Sequence, residues 1–167
     1  MTIRGYKMRV TTVDRSGKRK SPSQWVDVPA AIRYESSGFA NIQAYVARVF
    51  SSTAASSWVT ISTRSGRSSL SVAKHSGVRR IGLSVDVLRS KAKEARVRAF
   101  FEKQALSPAS DYLAKNGGVA NATRVLDYPL PDDPKAATAL TIAALREIHR
   151  LNAKSTLDMR YSEHEAS

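Results

Sequence analysis

Cysteine is absent from the 167 residues, which excludes a disulfide framework, a thiol nucleophile and a thiolate metal site. Also missing is any apolar run near the ~18 residues that a membrane-spanning helix needs. The opening MTIRGYKMRV has basic residues but no apolar core of ~7 residues behind them, so it does not read as a signal peptide. Together these features predict a cytoplasmic protein. Histidine is scarce: His75, His149 and His164 are the only three, and none stands in the H-x-x-x-H spacing of a zinc site. His149, late in a helical pattern, is expected to complement the negative helix end.

Catalytic motifs are lacking too. Asn116-Gly117-Gly118 reads as a turn, without the spaced glycines and the Lys-Ser/Thr of a phosphate loop. Serines are plentiful, yet no G-x-S-x-G elbow occurs. The few carboxylates are mostly explained as helix caps (Asp132, Asp133) or helix pairs (Glu94, Glu102). Asp14, Asp27 and Asp86 fall on candidate strands or turns. The sequence therefore predicts a protein that is not an enzyme and that uses no cofactor and no metal.

Positive charge is what the chain does have. Lys and Arg number 27 against 14 Asp and Glu, a net charge of +13. The excess is uneven: residues 1–30 hold seven basic and two acidic groups, and residues 61–90 six and one. Such a balance speeds encounter with polyanions and favours contact with a phosphate backbone.

Three apolar/polar alternations organise the middle of the chain: WVTIST, SLSVAK and VRRIGLSVDV. Val59 and Ile61, Leu70 and Val72, and Ile81, Leu83, Val85 and Val87 recur with the period of two of a half-buried sheet. Gly66 and Gly77 lie between the runs, where a hairpin needs positive φ. SKAKEARVRAFFEKQAL follows as a basic helix with Lys91, Lys93, Arg96, Arg98 and Lys103 on its outer face.

Upstream, residues 3–28 read as a first hairpin, and VPAAIRYESSGF as an irregular connection. Ile42, Tyr45, Val46, Val49 and Phe50 form a helical stripe, with Asn41 as a candidate N-cap. Downstream, SPASDYLAKNGGVANAT reads as a loop with a helical turn near Tyr112, and TRVLDYPL as a strand whose prolines suit a sheet edge. Asp133 then caps a helix with Pro134 at its first position, running to Lys154. The expected fold class is α+β: an antiparallel β-sheet of meander hairpins, with three main helices packed mostly on one face. Residues 1–154 form the single expected domain, and 155–167 a polar, flexible tail.

The candidate nucleic-acid-binding residues are the basic groups at the hairpin tips. They are Arg15, Lys18, Arg19 and Lys20 in the first hairpin, Arg64 and Arg67 around Gly66, and Lys74, Arg79 and Arg80 around Gly77. Small Ser/Gly tips let backbone N–H groups approach a phosphate while flanking Arg side chains fork onto it. DNA or RNA, held by its phosphates, is the expected partner. The alternative is a protein-binding module that docks an acidic partner or associates with itself. From Ala40 onward the expected order of helix, three strands, helix, strand, helix is similar to that of type III secretion chaperones. That resemblance is of element order alone and implies a client-binding or dimerising role.

Overall fold

A computed structural model describes residues 2–3, 6–10, 24–28, 31–66, 68–86, 91–115 and 122–164. Its elements are β1 (Thr2–Ile3), β2 (Tyr6–Val10), β3 (Gln24–Val28), β4 (Ala31–Ser37), α1 (Ile42–Ser51), β5 (Ser56–Thr63), β6 (Ser69–His75), β7 (Val78–Asp86), α2 (Lys91–Lys103), β8 (Ser110–Lys115), β9 (Ala122–Pro129), α3 (Pro134–Glu147) and β10 (Thr156–His164). One antiparallel sheet runs in the order β1-β4-β10-β5-β6-β7-β9-β8, and β2 and β3 pair separately as the expected first hairpin. The α+β class and the antiparallel sheet are as read from the sequence. No helix among the described residues is long and apolar enough to cross a membrane.

The alternation in the sequence becomes two apolar rungs across the strands. Met159, Ile61, Leu70, Leu83 and Leu126 stand side by side, as do Tyr161, Val59, Val72, Ile81 and Tyr128. All ten are buried. They join Ile42, Val46, Val49 and Phe50 of α1, Val97, Phe100 and Phe101 of α2, and Ala137, Ala144 and Leu145 of α3 in one cluster. The Phe101 ring stacks on Tyr128 with centroids 3.7 Å apart, adding to the area term at the α2–β9 contact.

Four expectations are corrected. Residues 156–164, read as a flexible tail, form β10 between β4 and β5, where Leu157, Met159 and Tyr161 are buried. The period of two was present, but Asp158, Arg160 and Ser162 alternate with it and made the stretch read as polar. Residues 31–37 are strand β4 rather than a connection, pairing with β10 over six positions from Ile32 to Ser37. Residues 110–115 are strand β8, so β9 is flanked on both sides and is not an edge. Pro129 ends β9, where its missing N–H breaks no ladder interior.

Helix α3 stops at Glu147, well short of Lys154, because Arg150 takes φ +56° and the Leu151 N–H turns back to the Leu145 carbonyl. No glycine marks that stop. Its start follows the sequence grammar: Asp133 accepts from the Ala136 N–H at 2.8 Å, with Pro134 beginning the helix. Asn41 occupies the N-cap of α1 without a side-chain bond.

Candidate nucleic-acid interface

Arg15, Lys18, Arg19, Lys20 and Arg67 lie outside the described residues. Arg64 is exposed in the β5–β6 turn, at the opposite end of the strands from the β6–β7 turn that neighbours Lys74, Arg79 and Arg80. Those three are engaged internally. Lys74 donates to the Ser52 carbonyl. Arg79 lies opposite Lys74 across the β6–β7 pair, bonds Asp132 at 2.8 Å and sits 4.8 Å from the centre of the Phe50 ring. Its Nε is buried without a hydrogen-bond partner among the described residues. Arg80 emerges on the other face and donates to Ser110 Oγ at 2.8 Å. Among the described residues, the tips therefore do not converge on one phosphate site.

A different basic surface emerges from how the carboxylates are used. Asp111 of β8 binds both Arg98 of α2, at 2.9 Å, and Arg124 of β9, at 2.7 Å, and Glu94 joins them. Burial alone would raise the Asp111 carboxyl, but hydrogen bonds and charge from Arg124 and Arg98 hold it below the usual range. Asp132 pairs with Arg79, Asp133 caps α3, Asp158 pairs with Arg160 at 3.2 Å, and Glu163 accepts from Tyr161. Arg98, read as part of the outer face of α2, is thus turned to Asp111.

What remains on α2 is mainly cationic: Lys91, Lys93, Arg96 and Lys103 make no salt bridge among the described residues, and the exposed Glu102, expected to pair within the helix, makes none either. Lys91, Arg96 and Lys103 are exposed. Lys93 is half-buried, and burial followed by the Arg96 charge lowers its pKa. His149, beyond the end of α3, is pushed down to about 4 by burial and then by Lys93 and Arg96. Its Nε2 is buried without a hydrogen-bond partner among the described residues. A neutral ring does not complement a helix dipole, which corrects the expectation for His149.

The face of the sheet opposite the apolar rungs carries a polar one: Arg160, Thr60, Ser71, Gly82, Asp127 and Ser110. Asp158, Ser162 and Ser62 on this face are buried. Over β6, β7 and β9 it opens into a cavity of about 320 Å³ lined by Ser71, Ala73, Val78, Arg80, Gly82 and Asp127, with His75 and Ser76 at its rim. Burial raises the Asp127 carboxyl, against the opposing charge of Arg80. Trp58, opposite Ala73, and Tyr112, 40 % exposed, share this face. Reasoning from sequence missed this cavity, although a glycine inside a strand pattern (Ile81-Gly82-Leu83) signals close approach or missing packing.

Among the described residues, no group of three or more His, Asp or Glu is placed to hold a metal ion. No family model, no curated protein and no solved structure matches the chain.

Proposed function

We propose that this is a small, non-enzymatic nucleic-acid-binding protein of the cytoplasm that grips the phosphate backbone electrostatically. The observation that carries this reading is the internal use of the carboxylates, which leaves Lys91, Lys93, Arg96 and Lys103 of α2 without acidic partners among the described residues. With the chain's surplus of +13, these unpaired cations attract a polyanion. In this reading the three helices cover one face of the sheet. The open part of the polar face, with the half-buried Trp58 and the exposed Tyr112, takes unpaired bases, as sheet surfaces serve in single-strand recognition. Arg64, exposed in the β5–β6 turn, adds a phosphate contact.

The test is fluorescence anisotropy with short single- and double-stranded DNA and RNA, titrated with salt. Binding should weaken steeply as salt rises. The triple variant Lys91→Ala, Arg96→Ala, Lys103→Ala should reduce the slope of log K against log salt by roughly 2–3, from ~0.7–0.9 per lost phosphate contact. No binding at low salt would defeat the proposal and leave the charge as a docking surface for an acidic protein.

A further inference from the structure

Gly82 lies in the interior of β7, in a position where no positive φ requires glycine. Strand interiors disfavour glycine, which gives up packing and costs roughly 0.5–1 kcal/mol of conformational entropy relative to alanine. Space explains it instead. A Cβ at this position would lie 2.7 Å from Asp127 Oδ1 and 2.8 Å from Ser71 Oγ. The two side chains lean over the glycine from the strands on either side, since Ser71 and Asp127 are its register partners. Arg80, one rung along the same strand and face, closes one end of the notch.

Asp127 is half-buried there and its carboxyl accepts no side-chain hydrogen bond among the described residues, where the Ser71 hydroxyl likewise makes only a long, 3.4 Å bond to the Gly82 carbonyl. Arg80 uses one N–H on Ser110 and has others to give. The cavity above, about 320 Å³, falls at the lower end of the ~300–1,000 Å³ typical of small-ligand sites. Asp127 lines this cavity, and a ligand that brings donors replaces solvent at a half-buried carboxylate with charge-assisted hydrogen bonds.

We infer that this notch holds a guanine base, with Asp127 accepting from its N1–H and exocyclic amine and Arg80 donating to O6. The inference rests on the nucleic-acid reading above and names the base that the sheet face takes. A simple cation would meet Arg80, and a simple anion would meet Asp127. An edge that presents one acceptor beside two donors satisfies both residues. Guanine is the common base with that edge, because cytosine and adenine place a ring acceptor next to the amine.

The test is calorimetric titration of the full chain with GMP, IMP and AMP, which carry the same phosphate and so hold the electrostatic term constant. GMP should bind at least tenfold more tightly than IMP, which lacks the exocyclic amine, and than AMP. Asp127→Asn should erase that preference, and Gly82→Ala should weaken GMP by pushing the Asp127 carboxylate and the Ser71 hydroxyl out of place. Equal affinity for the three nucleotides, or a preference that survives Asp127→Asn, overturns the inference. Salt-sensitive oligonucleotide binding without GMP preference sinks the notch alone. GMP preference without oligonucleotide binding leaves the notch standing and removes the nucleic-acid reading.

Discussion

Acidification from pH 7 to pH 4 should cost this protein about 3 kcal/mol of stability through His149 alone. The imidazole is held down to about 4 in the fold, by burial first and by Lys93 and Arg96 after it. In the unfolded chain it reverts to ~6.5. Between those values the unfolded state takes up a proton that the folded state refuses, so stability falls as the pH falls. At pH 5 the loss is about 2 kcal/mol, and at pH 4, where the folded ring is itself half protonated, about 3 kcal/mol. The contribution is fully present above pH ~6.5.

Urea unfolding at pH 7, 5 and 4 measures it, with His149→Gln as the reference. The difference between the two proteins isolates His149 because the other groups titrate in both. Asp127, raised in the fold, acts in the opposite sense, favouring the fold at low pH and losing that contribution as the pH rises through its folded value. Asp111, lowered in the fold, contributes above its unfolded value and loses that contribution at more acid pH than His149 does. An NMR titration of the His149 ring gives the folded value directly. A ring that titrates near 6.5, or a variant with the same pH dependence as the wild type, would refute the reasoning.

Three further outcomes are expected. Removing residues 156–167 should abolish cooperative unfolding, and Met159→Ala alone should cost about 2–5 kcal/mol, because β10 fills the space between β4 and β5; a truncated chain with unchanged melting would restore the tail reading. Asp111→Asn, which removes the negative charge that Arg98 and Arg124 share and leaves them Glu94 alone as a charged partner, should cost about 1–3 kcal/mol by denaturant titration, and the loss should shrink as the pH drops toward 3. Gly38 has φ +76° and would place a Cβ 1.9 Å from the Ala153 carbonyl oxygen, so Gly38→Ala should lower stability by more than ~1 kcal/mol, visible as a lower thermal midpoint.

The sequence by itself determined the parts of this protein whose rules are local. The β5–β6–β7 meander, α1, the basic helix α2 and the Asp133-Pro134 start of α3 follow from periods of 2 and 3.6 and from capping chemistry, all of which act within a few residues. The charge surplus was equally legible, and so was the i,i+4 pair of Glu94 and Arg98 on α2. The tertiary structure alone decided the rest, because it depends on partners far apart in the chain. β10 is a strand because β4 and β5, about a hundred residues earlier, give it ladders on both sides. Asp111 engages Arg98 only because the fold brings β8 within reach of α2, and His149 loses its charge because the fold buries it and sets the charges of Lys93 and Arg96 near it. The notch over Gly82 exists because register sets Ser71 and Asp127 on either side of the one position in that rung without a side chain. Pairing register is fixed by the whole sheet, and no window of the sequence contains it.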